Sequence, residues 1–358
     1  VQYKYYLKMK KKVLVTGVTG QDGPNMVDYL LKETDYLVYG MTRRSSNINL
    51  SNCESFLNNE RFQLVYADLT DGGSLDRLVQ EIQPDYFINF AANSFVGCSW
   101  DMPEHVMDTN AMGTLRCLES IRRFQPKCRF YSAGSSEEMG DVDYSPQDKA
   151  HPPKPRSPYG VSKVASRFLV KVYRESYDIF AVHGILFNHE GIRRGEEFVT
   201  RKITKSVARI KCALDRDESF QPLQLGNVDS IRDWSDSEDF MAGVWLMLNQ
   251  ETPKEYILSS NETHTVKEFV SLAFQEAGIP GLWSGEGLDE KFRIYEENKI
   301  LAEINEEFYR PGEVDILHGD SAPIREELGW SPRFSFPDLV KRMVNNDLEI
   351  AKKRTFSP

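Results

Sequence analysis

Cysteine is scarce and badly placed for pairing. The five (Cys53, Cys98, Cys117, Cys128 and Cys212) are odd in number, scattered, and include no CxxC pair. That argues against a disulfide framework or a zinc site, so no metal is expected, and for reduced thiols in a cytoplasmic protein. No apolar run reaches the ~18 residues a spanning helix needs, so no membrane partner is expected. Positive charge is also in deficit: 44 Lys and Arg stand against 54 Asp and Glu, a net −10. Such a chain is a poor holder of nucleic acid, whose phosphates demand the opposite sign. Internal repeats and low-complexity tracts are missing. Residues 1–10, tyrosine- and lysine-rich, lack a signal peptide's apolar core and are set apart as an extension of unknown status.

What is present is ordinary globular material. The 358 residues, 40% hydrophobic and 27% charged, allow one large α/β domain with an appended lobe or two modest domains. Strand and helix signals alternate through the first half. Lys12–Val15, Tyr36–Met41, Phe62–Tyr66, Tyr86–Phe90 and Arg129–Ala133 read as strands. Helices are expected from Pro24, as a first helical residue, at Ser74–Ile82, at Met107–Phe124 and at Tyr159–Tyr177. Alternation of this kind predicts a doubly wound parallel sheet of the Rossmann type, with a smaller and irregular C-terminal lobe. The expected boundaries are 11–187 together with roughly 229–258 for the sheet domain, and 188–228 with 259–350 for the lobe.

Gly17, Gly20 and Gly23 follow the first strand and open the first helix. Glycines there let the backbone turn tightly beside a pyrophosphate, whose charge the helix N-terminus stabilises. The second strand runs into Thr42-Arg43-Arg44-Ser45-Ser46, where an NAD site would carry Asp or Glu for the ribose hydroxyls. Guanidinium groups pair with phosphate far better than with neutral ribose, so NADP is the expected cofactor. Asp68-Leu69 after the third strand suit the adenine, and Ala91-Ala92 after the fourth are small enough to let the cofactor pass.

Tyr159 and Lys163, four apart, share one face of a helix. An ammonium close to a phenol favours the phenolate, so Lys163 is expected to lower the Tyr159 pKa toward the range of a working base. Ser135, 24 positions upstream, can bond the substrate hydroxyl that Tyr159 deprotonates. Glu137 is more informative. Simple alcohol oxidation needs no carboxylate there, whereas elimination of water beside a ketone needs a group to take the α-proton and protonate the departing hydroxyl. Glu138 reads as an exposed side chain.

These strings, together with TGVTGQDG, ADLTD, GILFNHEGIRRGEEFVTRKI, LGNVDSIRDW and YRPGEVD, resemble the extended short-chain dehydrogenase/reductase family and, within it, the GDP-mannose 4,6-dehydratases. The resemblance runs from Lys11 to about Leu348. It implies Ser135, Glu137, Tyr159 and Lys163 as catalytic residues. It implies an NADP site at Gly17, Thr19, Gly20, Gln21, Asp22, Gly23, Arg43, Arg44, Ser45, Asp68, Leu69, Phe90, Ala91, Ala92, Ser94, Lys163, His189 and Arg194. For the GDP-sugar it implies Ser94, Asn188, Val199, Lys202, Leu225, Gly226, Arg232, Arg310 and Glu313. The sheet domain would then hold NADP and the lobe the GDP-sugar, in a homodimer or homotetramer.

The implied reaction oxidises C4, eliminates water across C5 and C6, and returns hydride to C6, leaving the cofactor as it began. There are departures from the family pattern. Ser135 stands for a threonine, Asn89–Val96 differs from the usual run, His105 replaces a common tyrosine, and Glu138-Met139 replaces a more apolar-aromatic pair. They surround the sugar and nicotinamide, so a GDP-manno-heptose 4,6-dehydratase stays open, as do a nucleotide-sugar epimerase or reductase and a non-catalytic NADP-binding regulatory protein.

Overall fold

Val13, Leu14 and Val15 are wholly buried in succession. A strand without alternation must be covered on both faces, which a parallel sheet between two helical layers provides. The computed structural model describes residues 10–295, 297, 299–309 and 314–355. In it, β1 (Lys12–Thr16), β2 (Leu37–Thr42), β3 (Phe62–Tyr66), β4 (Tyr86–Asn89), β5 (Arg129–Ala133) and β6 (Ala181–Leu186) join strand Tyr256–Leu258 in one seven-stranded sheet. The order is Tyr256–Leu258, β6, β5, β4, β1, β2, β3, and every neighbouring pair is parallel. The winding direction therefore reverses between β1 and β4, where such sheets open a crevice at their carboxyl ends.

The described residues form ten α-helices: α1 (Asp22–Glu33), α2 (Gly72–Ile82), α3 (Pro103–Met107), α4 (Gly113–Phe124), α5 (Pro158–Tyr177), α6 (Val199–Leu214), α7 (Ser237–Leu248), α8 (Val266–Glu276), α9 (Ala322–Leu328) and α10 (Phe336–Thr355). Met26, Val27 and Leu30 of α1 meet Phe240, Val244 and Met247 of α7 over one face of the sheet. Leu75, Leu78, Ile121 and Val170 from α2, α4 and α5 cover the other. A separate core, with Ile203, Val207, Phe269, Phe274, Val340 and Met343, joins α6, α8 and α10. Strands Leu223–Leu225, Gly281–Ser284, Lys291–Ile294 and Ile300–Ile304 make a small sheet that contributes to it.

Two expected elements differ in detail. The first helix begins at Asp22, so Pro24 is its third residue; a missing N–H costs nothing anywhere in the first turn. The long helix expected at 107–124 is interrupted by a π turn at Asp108–Met112, and such turns often mark functional positions.

The exits of β1 and β4 are stapled by one hydroxyl. Thr16 Oγ1, fully buried, donates to Asn89 Oδ1 at 2.7 Å and accepts from Ala91 N at 2.9 Å. Thr16→Val strands both partners, and each unsatisfied buried group costs about 1–3 kcal/mol. Urea unfolding should show a loss of about 2 kcal/mol; a change below ~0.5 kcal/mol would remove the staple from the account.

Candidate functional site

A cleft of about 1390 Å³ opens over the β1–β4 reversal. Pockets for one small ligand are commonly ~300–1,000 Å³, so there is room for a dinucleotide and a second nucleotide. Its floor is the glycine turn. Gly17 adopts φ +67°, and a Cβ there would sit 2.9 Å from Ala91 N; a Cβ on Gly23 would sit 2.3 Å from Gly17 O. Only glycine lets the turn fold back on itself and pass so close to the exit of β4. Gly20 N donates to Gly17 O at 3.0 Å, which brings the N-terminus of α1 to the cleft.

Thr19, Gln21, Asp22, Asp68, Leu69, Phe90, Ala91, Ala92 and Ser94 line the same cleft, as does Arg43, the first residue beyond β2. Arg44 and Ser45 are exposed and are not part of its wall; the Arg44 guanidinium donates instead to Ser45 O. Asp22 turns to His189, whose Nε2 lies 2.9 Å from Asp22 Oδ2 while Nδ1 meets Phe187 O at 2.8 Å. Burial alone would raise the Asp22 carboxyl, but His189, with Arg194 behind it, outweighs burial and holds it below the usual range. Burial alone would lower His189, but the Asp22 charge and hydrogen bond raise it. Arg194 pairs with the buried Glu190 at 2.9 Å and lies 3.5 Å over the Phe198 ring.

The candidate reacting groups come from two elements. Ser157 caps α5 by accepting from Gly160 N at 3.0 Å, with Pro158 as the first helical residue, and this sets the rotation of Tyr159 and Lys163. A Cβ on Gly160 would lie 2.6 Å from Glu137 O, so glycine lets the β5 exit loop rest on the helix. Tyr159 is hydrogen-bonded to Ser135, and the Lys163 Nζ stands 5.7 Å from the phenol ring centroid. Lys163 donates to Ala133 O at 2.7 Å. Ser135, Glu137, Tyr159 and Lys163 all face the cleft.

The Tyr159 pKa is raised, not lowered. Burial is the main cause, the Ser135 hydrogen bond offsets only part of it, and the Glu137 charge adds to it. Lys163 is itself pushed down to about 8 by burial, against the charges of Glu138 and Asp22. Glu138 is not exposed: none of its side chain reaches solvent, and it bonds His183 Nε2 and Ser135 N, each at 2.9 Å.

On the lobe side, Asn188, Val199, Gly226 and Arg232 line the cleft, the last donating to Ile231 O at 2.9 Å. Lys202 is not on its wall; its Nζ sits 3.4 Å over the ring of Phe308, which is. Leu225 is only 2% exposed and packs in the lobe core. Arg310 and Glu313 lie outside the described residues, as do residues 1–9 of the N-terminal extension. Among the described residues no cluster of His, Cys, Asp or Glu could hold a metal ion, and no helix is long and apolar enough to cross a membrane.

Asn110 and Asn52 were not singled out from the sequence. From the π turn, Asn110 Nδ2 donates to Ser162 Oγ at 2.9 Å and Asn93 O at 3.2 Å, tying α5 to the cleft wall. The only signal was an asparagine inside a helical pattern, where it is a poor former. Asn52 Nδ2 reaches Gly20 O at 2.8 Å across 32 residues, a contact with no local signature.

Residues 14–343 match the family model described as GDP-mannose 4,6 dehydratase. The chain is 42% identical to the GDP-mannose 4,6-dehydratase of Yersinia enterocolitica, over 96% of this chain and 95% of that one. Its fold is similar to that of a dTDP-glucose 4,6-dehydratase from Bacillus anthracis solved with NAD, at TM-score 0.78 and 20% identity, covering 96% and 98% of the two chains. It is also similar to RMD from Pseudomonas aeruginosa complexed with NADPH, at TM-score 0.73 and 21% identity, covering 96% and 99%.

The Asp22–His189 pair has a pH signature. Stability from His189 is full below the unfolded imidazole pKa and is lost as pH rises through the raised folded value; that from Asp22 is present above the unfolded carboxyl pKa and is lost as pH falls through its lowered one. An NMR titration of His189 should therefore give a midpoint above ~6.5, and Asp22→Asn should bring it down. A midpoint indifferent to Asp22→Asn would show that the pair carries no coupling.

Proposed function

The chain belongs to the GDP-mannose 4,6 dehydratase family, and from that premise we propose that Ser135, Glu137, Tyr159 and Lys163 carry out its hydro-lyase reaction, the conversion of GDP-mannose to GDP-4-keto-6-deoxymannose, with NADP as resident cofactor. The observation that carries the reading is Glu137. It stands on the wall of a cleft that already holds a Ser–Tyr–Lys set. Epimerisation or reduction at C4 needs no such carboxylate, whereas loss of water beside a ketone does.

The residues present fit a dinucleotide. The glycine turn and the start of α1 suit its pyrophosphate, and Arg43, with no carboxylate at the end of β2, favours the 2′-phosphate of NADP. The Bacillus neighbour was solved with NAD and the Pseudomonas neighbour with NADPH, which supports a nicotinamide cofactor; Arg43 supports the choice between them. When bound, the cofactor supplies a hydride acceptor for C4, a donor for C6, and a positive charge that eases the Tyr159 proton off.

Burial holds the proton on Tyr159 in the free chain. Once that proton has been released to solvent, helped by the Lys163 ammonium and the charge the bound cofactor would supply, the phenolate takes the C4 hydroxyl proton while Ser135 holds that hydroxyl. The C4 ketone acidifies C5. Glu137 removes the C5 proton and protonates the C6 hydroxyl, which departs as water. Tyr159 then returns a proton to C5. In this reading residues 11–187 with 229–258 hold NADP, and residues 188–228 and 259–350 hold the GDP moiety, with Arg232 reaching it from the 229–258 segment.

We also propose a homo-oligomer in the cytoplasm. Val161, Phe168 and Val172, at 45%, 49% and 49% exposure, fall on one face of α5, and Met112 beside it is 43% exposed. A second copy of the same face would bury them. Sedimentation should therefore report a dimer or tetramer, and Phe168→Glu should push it toward monomer.

Two measurements test the catalytic reading. Mass spectrometry of GDP-mannose incubated with the protein should show loss of one water; Tyr159→Phe should abolish it, and Glu137→Gln should keep the shape but stall elimination. Dehydration by Glu137→Gln at the normal rate would return the site to the epimerase or reductase class, and faster turnover of GDP-manno-heptose would reassign the sugar. In calorimetry, NADP should bind at least about tenfold more tightly than NAD, a difference of only ~1.4 kcal/mol. Arg43→Ala should erase that preference; equal affinities in the unaltered protein would overturn the assignment.

A further inference from the structure

We propose that Glu138, steered by His183, is a positioning residue of this active site: it pins Ser135 through the serine's backbone N–H and stands as the buried counter-charge to Lys163. The proposal rests on the catalytic roles given above to Ser135 and Lys163. Both members of the pair are wholly buried, with Glu138 Oε1 2.9 Å from His183 Nε2 and 2.9 Å from Ser135 N. Neither lines the cleft, so whatever they do for the reaction passes through other residues.

Stability is a poor reason to keep them. Burying ionisable groups costs more than their mutual attraction commonly returns, and apolar side chains of like volume would serve a core better. Here the burden is heavier, since Glu138 Oε2 and His183 Nδ1 have no hydrogen-bond partner among the described residues. The backbone is nevertheless shaped around the pair. A Cβ on Gly134 would stand 2.3 Å from His183 Nε2 and 2.6 Å from Glu138 Oε1, so glycine is required between them.

The link to the chemistry is three residues long. Ala133 O receives the Lys163 Nζ at 2.7 Å, Gly134 follows, and Ser135 N donates to Glu138. Moving Glu138 therefore moves the segment that holds both the lysine and the serine hydroxyl. Among the described residues, three titratable groups face Lys163. Tyr159 shares its helix, Glu138 comes from the β5 exit loop, and Asp22 comes from α1. Asp22 is already engaged by His189 and Arg194. Around Glu138 itself stand His183 of β6, the Tyr131 hydroxyl of β5, which has no hydrogen-bond partner among the described residues, Tyr159 and Lys163. Burial drives Lys163 down to about 8, and Glu138 leads the charges that resist it.

The test compares Glu138→Gln, which keeps the shape and an acceptor for Ser135 N, with His183→Leu and its conservative counterpart His183→Gln. NMR of ¹³Cε-labelled lysine in the full chain, assigned with Lys163→Arg, reads the Lys163 midpoint without any turnover. Glu138→Gln should lower that midpoint by about one pH unit, and kcat above it should fall about tenfold while KM for GDP-mannose holds within about twofold. His183→Leu should reproduce the loss and His183→Gln should restore most of it. An unmoved lysine midpoint, or a kcat loss equal at every pH, overturns the proposal. If the unaltered protein fails to dehydrate GDP-mannose, the reading of the reaction falls, and the lysine titration still decides whether Glu138 is the counter-charge.

Discussion

The distance between the exits of β1 and β4 is the constraint on which the rest depends. Two parallel strands whose connections run to opposite sides of the sheet leave a crevice at their carboxyl ends, but only if their first loop residues can separate without losing the sheet. Thr16 solves the first half by bonding Asn89 and Ala91 across the gap. Gly17 solves the second, since its positive φ and missing Cβ let the chain turn 2.9 Å from Ala91 N. A methyl group at that place would close the cleft or break the pairing.

From that crevice outward the site is a matter of burying charge and answering it locally. Lys163 is answered by Ala133 O and Glu138, Asp22 by His189, and Glu190 by Arg194 and Thr200. The lobe is held in the same manner: Arg201 meets Asp347 at 2.8 Å between α6 and α10, and Arg342 bonds Asp236 at the start of α7. Pairs of this kind add little net stability, but breaking one leaves an uncompensated charge, so they define a single arrangement of the parts around the cleft.

Local signals carried far in the sheet. Short apolar runs separated by helical periodicity sufficed for β1 to β5, for α2 and for α5, because each element is decided by burial within its own window. The cleft was legible where a motif is contiguous: the glycine turn, the Arg43 position, and the Tyr159–Lys163 spacing. It was illegible where the partner is distant. Nothing near Glu138 says that His183, 45 residues away, will cover it, and a glutamate in a loop is ordinarily solvated. Arg44 and Ser45, neighbours of a residue on the wall, fell outside the cleft because successive residues leaving a strand point in different directions.

The sequence by itself determined the doubly wound sheet and its glycine turn, and it supplied the residues proposed here as the reacting groups, since these are read from composition, period and short spacing. Only the tertiary structure decided their electrical state. Tyr159 was expected to be acidified by Lys163, yet burial raises the phenol and drives the lysine to about 8, and a carboxylate from another loop stands against that loss. Spacing along a helix says which side chains are neighbours. How much water and how many distant charges surround them is set by the packing of β5, β6 and α5 together, and that sum is what fixes a proton.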